Sequence, residues 1–341
     1  SFSVPINALP RRSNGSLPLI PNATLTSRKA ATARVECGKS PRDVELYAVT
    51  GVGLTPTFAW ATTGANPRLF AYIYPGYLQL VEDGCQADAN ALEARQKQAE
   101  SQALVDLAKR LGHPLGGTTL ITNARVFDSE NAKLGPSSDV LIKDGRIVSI
   151  TAAPKGKRDG KTKADNLIDA GGKVLLPGLF DMHGHVGRWD GGLNLATGVT
   201  SVRDMGNDNA TLQQMLGEIK NGTLMSPDVV PAGFIEGESN FSARNGFVVK
   251  DLDSAKKAVD WYAEHGYPQI KIYNSFPKDV LKDTVAYAHS KGMRVSGHVP
   301  GFLRAQDVVD DGFDEIQHIN QLMLNFFVDD KTDTRTLARF Y

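Results

Sequence analysis

This chain has little cysteine, no surplus charge of either sign and no long apolar run. Its 341 residues hold two cysteines, Cys37 and Cys85, whose separation does not suggest a metal site. One disulfide in an exported protein and two thiols in a cytosolic one are both open. Lys+Arg and Asp+Glu each number 38, so no net field draws the chain to nucleic acid or to an anionic membrane. A small, roughly neutral molecule is the expected partner, and self-association into a homo-oligomer is left open. No apolar stretch approaches the roughly 20 residues that span a bilayer, so no membrane helix is expected. The chain starts at Ser1 rather than Met, which suggests a processed secretory product or a fragment. A periplasmic or secreted location is slightly favoured over a cytoplasmic one.

What is present is ample apolar material, 41% of residues, in a chain longer than one typical domain. Residues 1 to about 45 are rich in Pro, Ser, Asn and Arg and read as irregular. Thr57–Trp60 and Leu69–Tyr74 read as a hairpin, and residues 87–111 as a helix closed by Gly112. Tyr72, Tyr74 and Tyr77 are expected to pack a small domain rather than line a site. From Thr118 the pattern is strand-like, with Asp144-Gly145 marking a tight hairpin. Three parts are expected: an N-terminal segment of unknown role at 1–117, a small β subdomain at 118–177, and a third part at 178–341.

Beyond Gly178 short apolar runs alternate with helical stretches. Strands are predicted at 179–183, 199–203, 229–235, 269–273, 294–298 and 315–319. Regular βα alternation implies a parallel sheet, and polar groups at successive strand ends favour a (β/α) barrel. Six strands are visible where a closed barrel needs eight.

Asp181-Met182-His183-Gly184-His185 follows the apolar run Val174–Phe180. Side chains alternate along a strand, so His183 and His185 project the same way and can grip one metal ion. His298 and His318 also close strand-like runs. Singly, each histidine is explained by an ordinary hydrogen bond; four at strand ends are not. Lys271 lies between Ile270 and Ile272; if these pack outward, the lysine enters the barrel, where an unpaired ammonium is costly. Carbamylation by CO2 would make it an anionic oxygen ligand able to bridge two metals. Arg203-Asp204, Glu236 and Glu238 read as structural ion pairs before substrate contacts, the segment 239–247 as an ordinary loop before a lid, and His265 and His289 as structural.

Gly-x-Asp-x-His-x-His after a β subdomain, followed by Lys, His and His on successive strands, resembles the amidohydrolase superfamily, especially its imidazolonepropionase-like and prolidase-like members. The resemblance covers about Thr118 to Tyr341. It implies an α/β fold, a (β/α)8-type TIM barrel with a small β-sandwich subdomain, here incomplete and carrying an extra N-terminal segment. It further implies that His183 and His185 hold the more buried of two divalent metal ions, that carbamylated Lys271 bridges the pair, and that His298 and His318 hold the second. Zn2+ is the expected metal. A water shared by the ions would attack as hydroxide, with Asp181 orienting the motif and Tyr273 contacting substrate.

The family's aspartate after the eighth strand has no candidate. Asp329, Asp330 and Asp333 fall where a loop or helix would follow the sixth strand, and residues 178–341 are fewer than the about 200 of a whole barrel. The chain is therefore expected to be C-terminally truncated, with its catalytic acid–base group unknown. The expected function is metal-dependent hydrolysis of carbon–nitrogen bonds in amides, cyclic amides or dipeptides. The alternatives are phosphotriester or lactone hydrolysis, or an inactive metal-binding relative.

Overall fold

A computed structural model describes residues 16–19, 22–37, 40–154 and 163–336. Six strands, β1 (Ser16–Leu19), β2 (Ala23–Val35), β3 (Arg42–Thr50), β4 (Thr57–Thr62), β5 (Leu69–Tyr74) and β6 (Leu78–Val81), form an antiparallel sheet in chain order. The irregular segment expected up to residue 45 is corrected here: β1 and β2 are regular strands, while residues 1–15 lie outside the described residues. The inward positions of β2 include Ser27, Ala31 and Ala33, so its alternation is faint. Its extended shape comes from pairing with β3, from Thr26 opposite Thr50 to Val35 opposite Arg42. Helix α1 (Ala89–Leu111) buries Leu92, Gln96, Leu104 and Ala108, and a Cys37–Cys85 disulfide settles the cysteine question. The expected packing role fails for two tyrosines, since Tyr74 and Tyr77 are 57% and 77% exposed.

Next come β7 (Thr118–Asp128), β8 (Lys133–Lys143), β9 (Arg146–Ala152), β10 (Asn166–Asp169) and β11 (Val174–Leu175). They make a single mixed sheet, with β10 and β11 both joining β7 in parallel instead of building a second layer among the described residues. Asp144 and Gly145 turn β8 into β9 with positive φ at both positions, 50° and 73°, the backbone that a two-residue hairpin demands.

The third sheet is parallel throughout. Its elements are β12 (Leu179–Gly184), α2 (Asp190–Ala196), β13 (Val199–Asp204), α3 (Asn209–Lys220), β14 (Asp228–Gly237), β15 (Phe247–Val249), α4 (Leu252–Glu264), β16 (Gln269–Ile272), α5 (Leu281–Ser290), β17 (Arg294–Gly297), α6 (Ala305–Asp310), β18 (Glu315–Ile316) and α7 (Ile319–Phe327). The order is β12-β13-β14-β16-β17-β18, with β15 attached to β14. All six predicted strands are present, and β15 is an addition at the end of the expected 239–247 loop. The last predicted strand is shorter than expected: it stops at Ile316, and His318 opens α7.

Helices α4, α5 and α6 cover the outer face, where Val259, Tyr262, Ile270, Ile272, Val285, Val295 and Val308 form one core with exposures of 0%. Burying each such aliphatic side chain is worth about 1.5–3 kcal/mol. The sheet is curled. Arg203 on β13 and Glu315 on β18 would stand four strand spacings apart in a flat sheet, about 19 Å, yet their side chains pair at 2.6 and 2.7 Å.

Candidate metal centre

The curl brings the C-terminal ends of β12, β16, β17 and β18 to one place. There the rings of His183 and His318 stand 4.5 Å apart, those of His183 and His185 5.6 Å, and those of His298 and His318 4.9 Å. Lys271 Nζ lies 3.4 Å from His183 Nε2. Thus the five residues singled out by spacing share one cluster. Lys271 is 1% exposed, flanked by Ile270 and Ile272 in the helix-facing core, so the predicted inward direction of its side chain is observed. His298 is buried, His183 half-buried, and His185 and His318 open to solvent.

Three of the four rings are set by a partner on Nδ1. His183 Nδ1 meets Gln317 Oε1 at 2.6 Å, His185 Nδ1 meets the Gly206 carbonyl at 2.7 Å, and His298 Nδ1 meets Asn274 Oδ1 at 2.7 Å. An oxygen acceptor requires Nδ1 to carry the proton, which leaves the Nε2 lone pair for another partner. For His183 the logic extends outward. Gln317 Nε2 donates to Glu315 Oε1 at 2.6 Å, which fixes the amide so that its oxygen faces the ring. Arg203 then clamps Glu315 with two hydrogen bonds while donating to the Met182 carbonyl at 2.7 Å. Sequence reasoning missed Gln317, Asn274 and Gly206. Gln317 adjoins a singled-out histidine, but nothing in its spacing marks it.

Charge is scarce in the cluster. Burial, then the nearby Lys271 ammonium, holds His183 down at about 4, and the same two causes lower His318. Burial also pushes Lys271 down to about 8, against an opposing pull from Asp204. Asp204 is fully buried and accepts from Val186 N, Gly206 N and Asn207 Nδ2. His318 has φ 65° and ψ 126°, a backbone that costs a non-glycine residue about 1–3 kcal/mol and concentrates at functional positions.

The donor chemistry suits a divalent metal, since neutral imidazoles with Nδ1 satisfied are good ligands. Among the described residues, however, no three His, Cys, Asp or Glu side chains are arranged around a common point to hold an ion. The Lys271 amine stands against His183 Nε2, in the middle of the cluster.

Other singled-out residues have local duties. The Tyr273 ring lies 4.1 Å from that of His298, tilted by 39°, and Lys271 Nζ lies 5.6 Å from the Tyr273 ring. Asp181 Oδ1 accepts from His183 N. Glu236 is buried and accepts from the amides of Gly237, Ala243 and Ser275. Glu238 is exposed. His265 caps α4 against Trp261, and His289 pairs with Asp314. Asp329 and Asp333 serve Thr332 and Arg335.

No family model matches the chain. Curated relatives do. A D-hydantoinase of Streptomyces coelicolor is 27% identical over 155 residues, 41% of this chain and 30% of that protein. A dihydroorotase of Geobacter sp. is 29% identical over 217 residues, 57% of this chain and 45% of that protein. An imidazolonepropionase of Vibrio campbellii is 33% identical over 78 residues, 20% of this chain and 19% of that protein. These matches support a place in the amidohydrolase superfamily. The chain spans less than half the length of those three relatives. Among solved structures, a bottromycin amidohydrolase is 23% identical, with a TM-score of 0.49 over 63% of this chain and 45% of that one.

Proposed function

We propose that this amidohydrolase chain forms the metal-holding part of a hydrolase that cleaves carbon–nitrogen bonds in amides, cyclic amides or dipeptides. The observation that carries the proposal is the gathering of His183, His185, His298, His318 and Lys271 at the C-terminal ends of parallel strands. That end is where (β/α) barrels keep their chemistry, and we read the curled sheet as six strands of a (β/α)8 barrel.

His183 and His185 would hold one Zn2+, His298 and His318 a second, and a Lys271 carbamate would lie between them. When bound, zinc would supply Lewis acidity, polarising the scissile carbonyl and acidifying a water. Burial favours the neutral amine of Lys271; its lone pair can attack CO2, forming an N–C bond and releasing a proton, and the carbamate replaces a cation with an anion between the imidazoles. Gln317, Gly206 and Asn274 hold the proton on Nδ1 of three rings and so aim Nε2 inward. Tyr273, whose ring lies against His298, would contact substrate. The disulfide supports an oxidising location, periplasmic or secreted.

Metal binding without turnover is a second reading for this chain alone, favoured because Asp329 and Asp333 are occupied in local turns. Metal analysis with an activity screen tests both. We expect about two Zn per chain, lost in His183→Ala, and hydrolysis of dipeptides, N-acyl amino acids or hydantoin-like rings that vanishes in Lys271→Ala and returns with short carboxylic acids. Absence of bound metal in the wild type overturns the proposal, whereas zinc without hydrolysis selects the second reading.

A further inference from the structure

Strand β12 and the residue that follows it carry half of the histidine cluster, His183 and His185. Among the described residues the strand pairs with β13 alone, and its register is broken between Asp181 and Gly184. Its apolar side chains Leu179, Phe180 and Met182 are 58%, 68% and 53% exposed. A shift of a fraction of an ångström at His183 and His185 would spoil a metal site. The chain runs straight from His185 into Val186–Trp189, so what holds these four residues bears on where the histidine pair stands.

Those residues are held from the far side by the N-terminal sheet and helix. Trp189 lies 6.0 Å from the ring of Phe58 on β4, and its indole Nε1 donates to Glu100 Oε2 on α1 at 3.2 Å. The buried Gln96 donates to the other oxygen of Glu100 at 2.9 Å, so the carboxylate is itself fixed. Arg188 donates to Ser101 Oγ at 3.3 Å and pairs with Glu218 of α3 at 2.7 Å. Val186, 4% exposed, shares a core cluster with Leu104 of α1 and with Val202, Met215 and Leu224. On the near side Val186 N donates to Asp204, and Asn207 donates to the Val186 carbonyl.

We propose that the N-terminal sheet and α1 are a working part of the metal centre: by clamping Val186–Trp189 they position the His183–His185 pair. Trp189 and Glu100 are then positioning residues, a role that rests on the metal reading of the histidine cluster. Residues 58–104 thereby gain a task in a reaction whose polar groups all lie beyond residue 180.

The test uses the full chain and reads Zn2+ affinity by competition with a chromogenic chelator, alongside the melting temperature. Trp189→Leu and Glu100→Leu should each weaken zinc binding about tenfold, the scale of changes just outside a ligand shell. Glu100→Gln, whose carbonyl oxygen still accepts from the indole, should retain wild-type affinity. Leu25→Ala, in the same sheet but remote from the clamp, should lower the melting temperature and leave affinity unchanged. If Trp189→Leu does not fold, the partly exposed Glu100 position carries the test. Folded Glu100→Leu with wild-type zinc affinity overturns the clamp, as does an equal loss in Leu25→Ala. Wild-type affinity in His183→Ala instead overturns the metal reading, a separate result.

Discussion

Gln317 decides how His183 can act. Because Glu315 takes its amide N–H, its oxygen must face His183 Nδ1, and the ring is held in the tautomer whose Nε2 has the lone pair. Replacing Gln317 by Leu removes that constraint, and zinc affinity should drop about 10- to 100-fold, with nitrogen NMR showing the His183 ring as a tautomer mixture. A ring still protonated only on Nδ1 would contradict the argument. His183 itself, lowered by burial and by the Lys271 ammonium, sets a pH signature in the metal-free protein. His183 titrates at about 4 when folded, against 6.5 as its ordinary value, so the unfolded chain takes up the proton first. Stability should therefore decline as pH falls from about 6.5 towards 4 and level off below. Lys271 acts likewise at higher pH, its contribution declining from about 10.5 down to 8. Denaturant midpoints across pH 4–6.5 measure the slope, and His183→Gln should flatten it.

At the scale of elements, β13 and β18 meet only because the sheet curls, and the Arg203–Glu315 pair is the contact that joins them. The pair is bidentate, and its side chains are 13% and 34% exposed, so solvent screens it in part. A double-mutant cycle with Arg203→Met and Glu315→Gln should give a coupling of about 1–2 kcal/mol, with Glu315→Gln also weakening zinc through Gln317. Additive losses would mean that the pair does not hold the curl. The strands themselves were legible: alternation and βα spacing predicted all six within a few residues. The end of β18 was not, since apolar Ile319 continues the run, and only the helical turn beginning at His318 shows that the chain has already left the sheet.

At the scale of the molecule, the Cys37–Cys85 bridge ties the end of β2 to the start of α1 across 48 residues. Closing a loop of that length removes unfolded-chain entropy worth up to about 4 kcal/mol. Cys37→Ser should lower the stability of the N-terminal sheet by about 2–4 kcal/mol, read as a shift in denaturant midpoint that a reductant reproduces in the wild type. An unchanged midpoint under reductant would show that the bridge adds nothing. The sheet and α1 also back the loop after His185, so loosening them is expected to be felt at the histidine cluster.

The sequence by itself determined the parallel βα order, the four histidines at strand ends and the inward direction of Lys271. All of these follow from side-chain alternation along single strands, a local property. Tertiary structure decided which atoms meet. Gln317 reaches His183 across 134 positions, Asn274 reaches His298, and Trp189 lies between Phe58 and Glu100. No period in the chain encodes such pairs, because sheet curl and the docking of separate elements bring them within hydrogen-bonding distance. The faint alternation of β2 hid a regular strand for the same reason: its extended form is held by β3, a partner that no local pattern names.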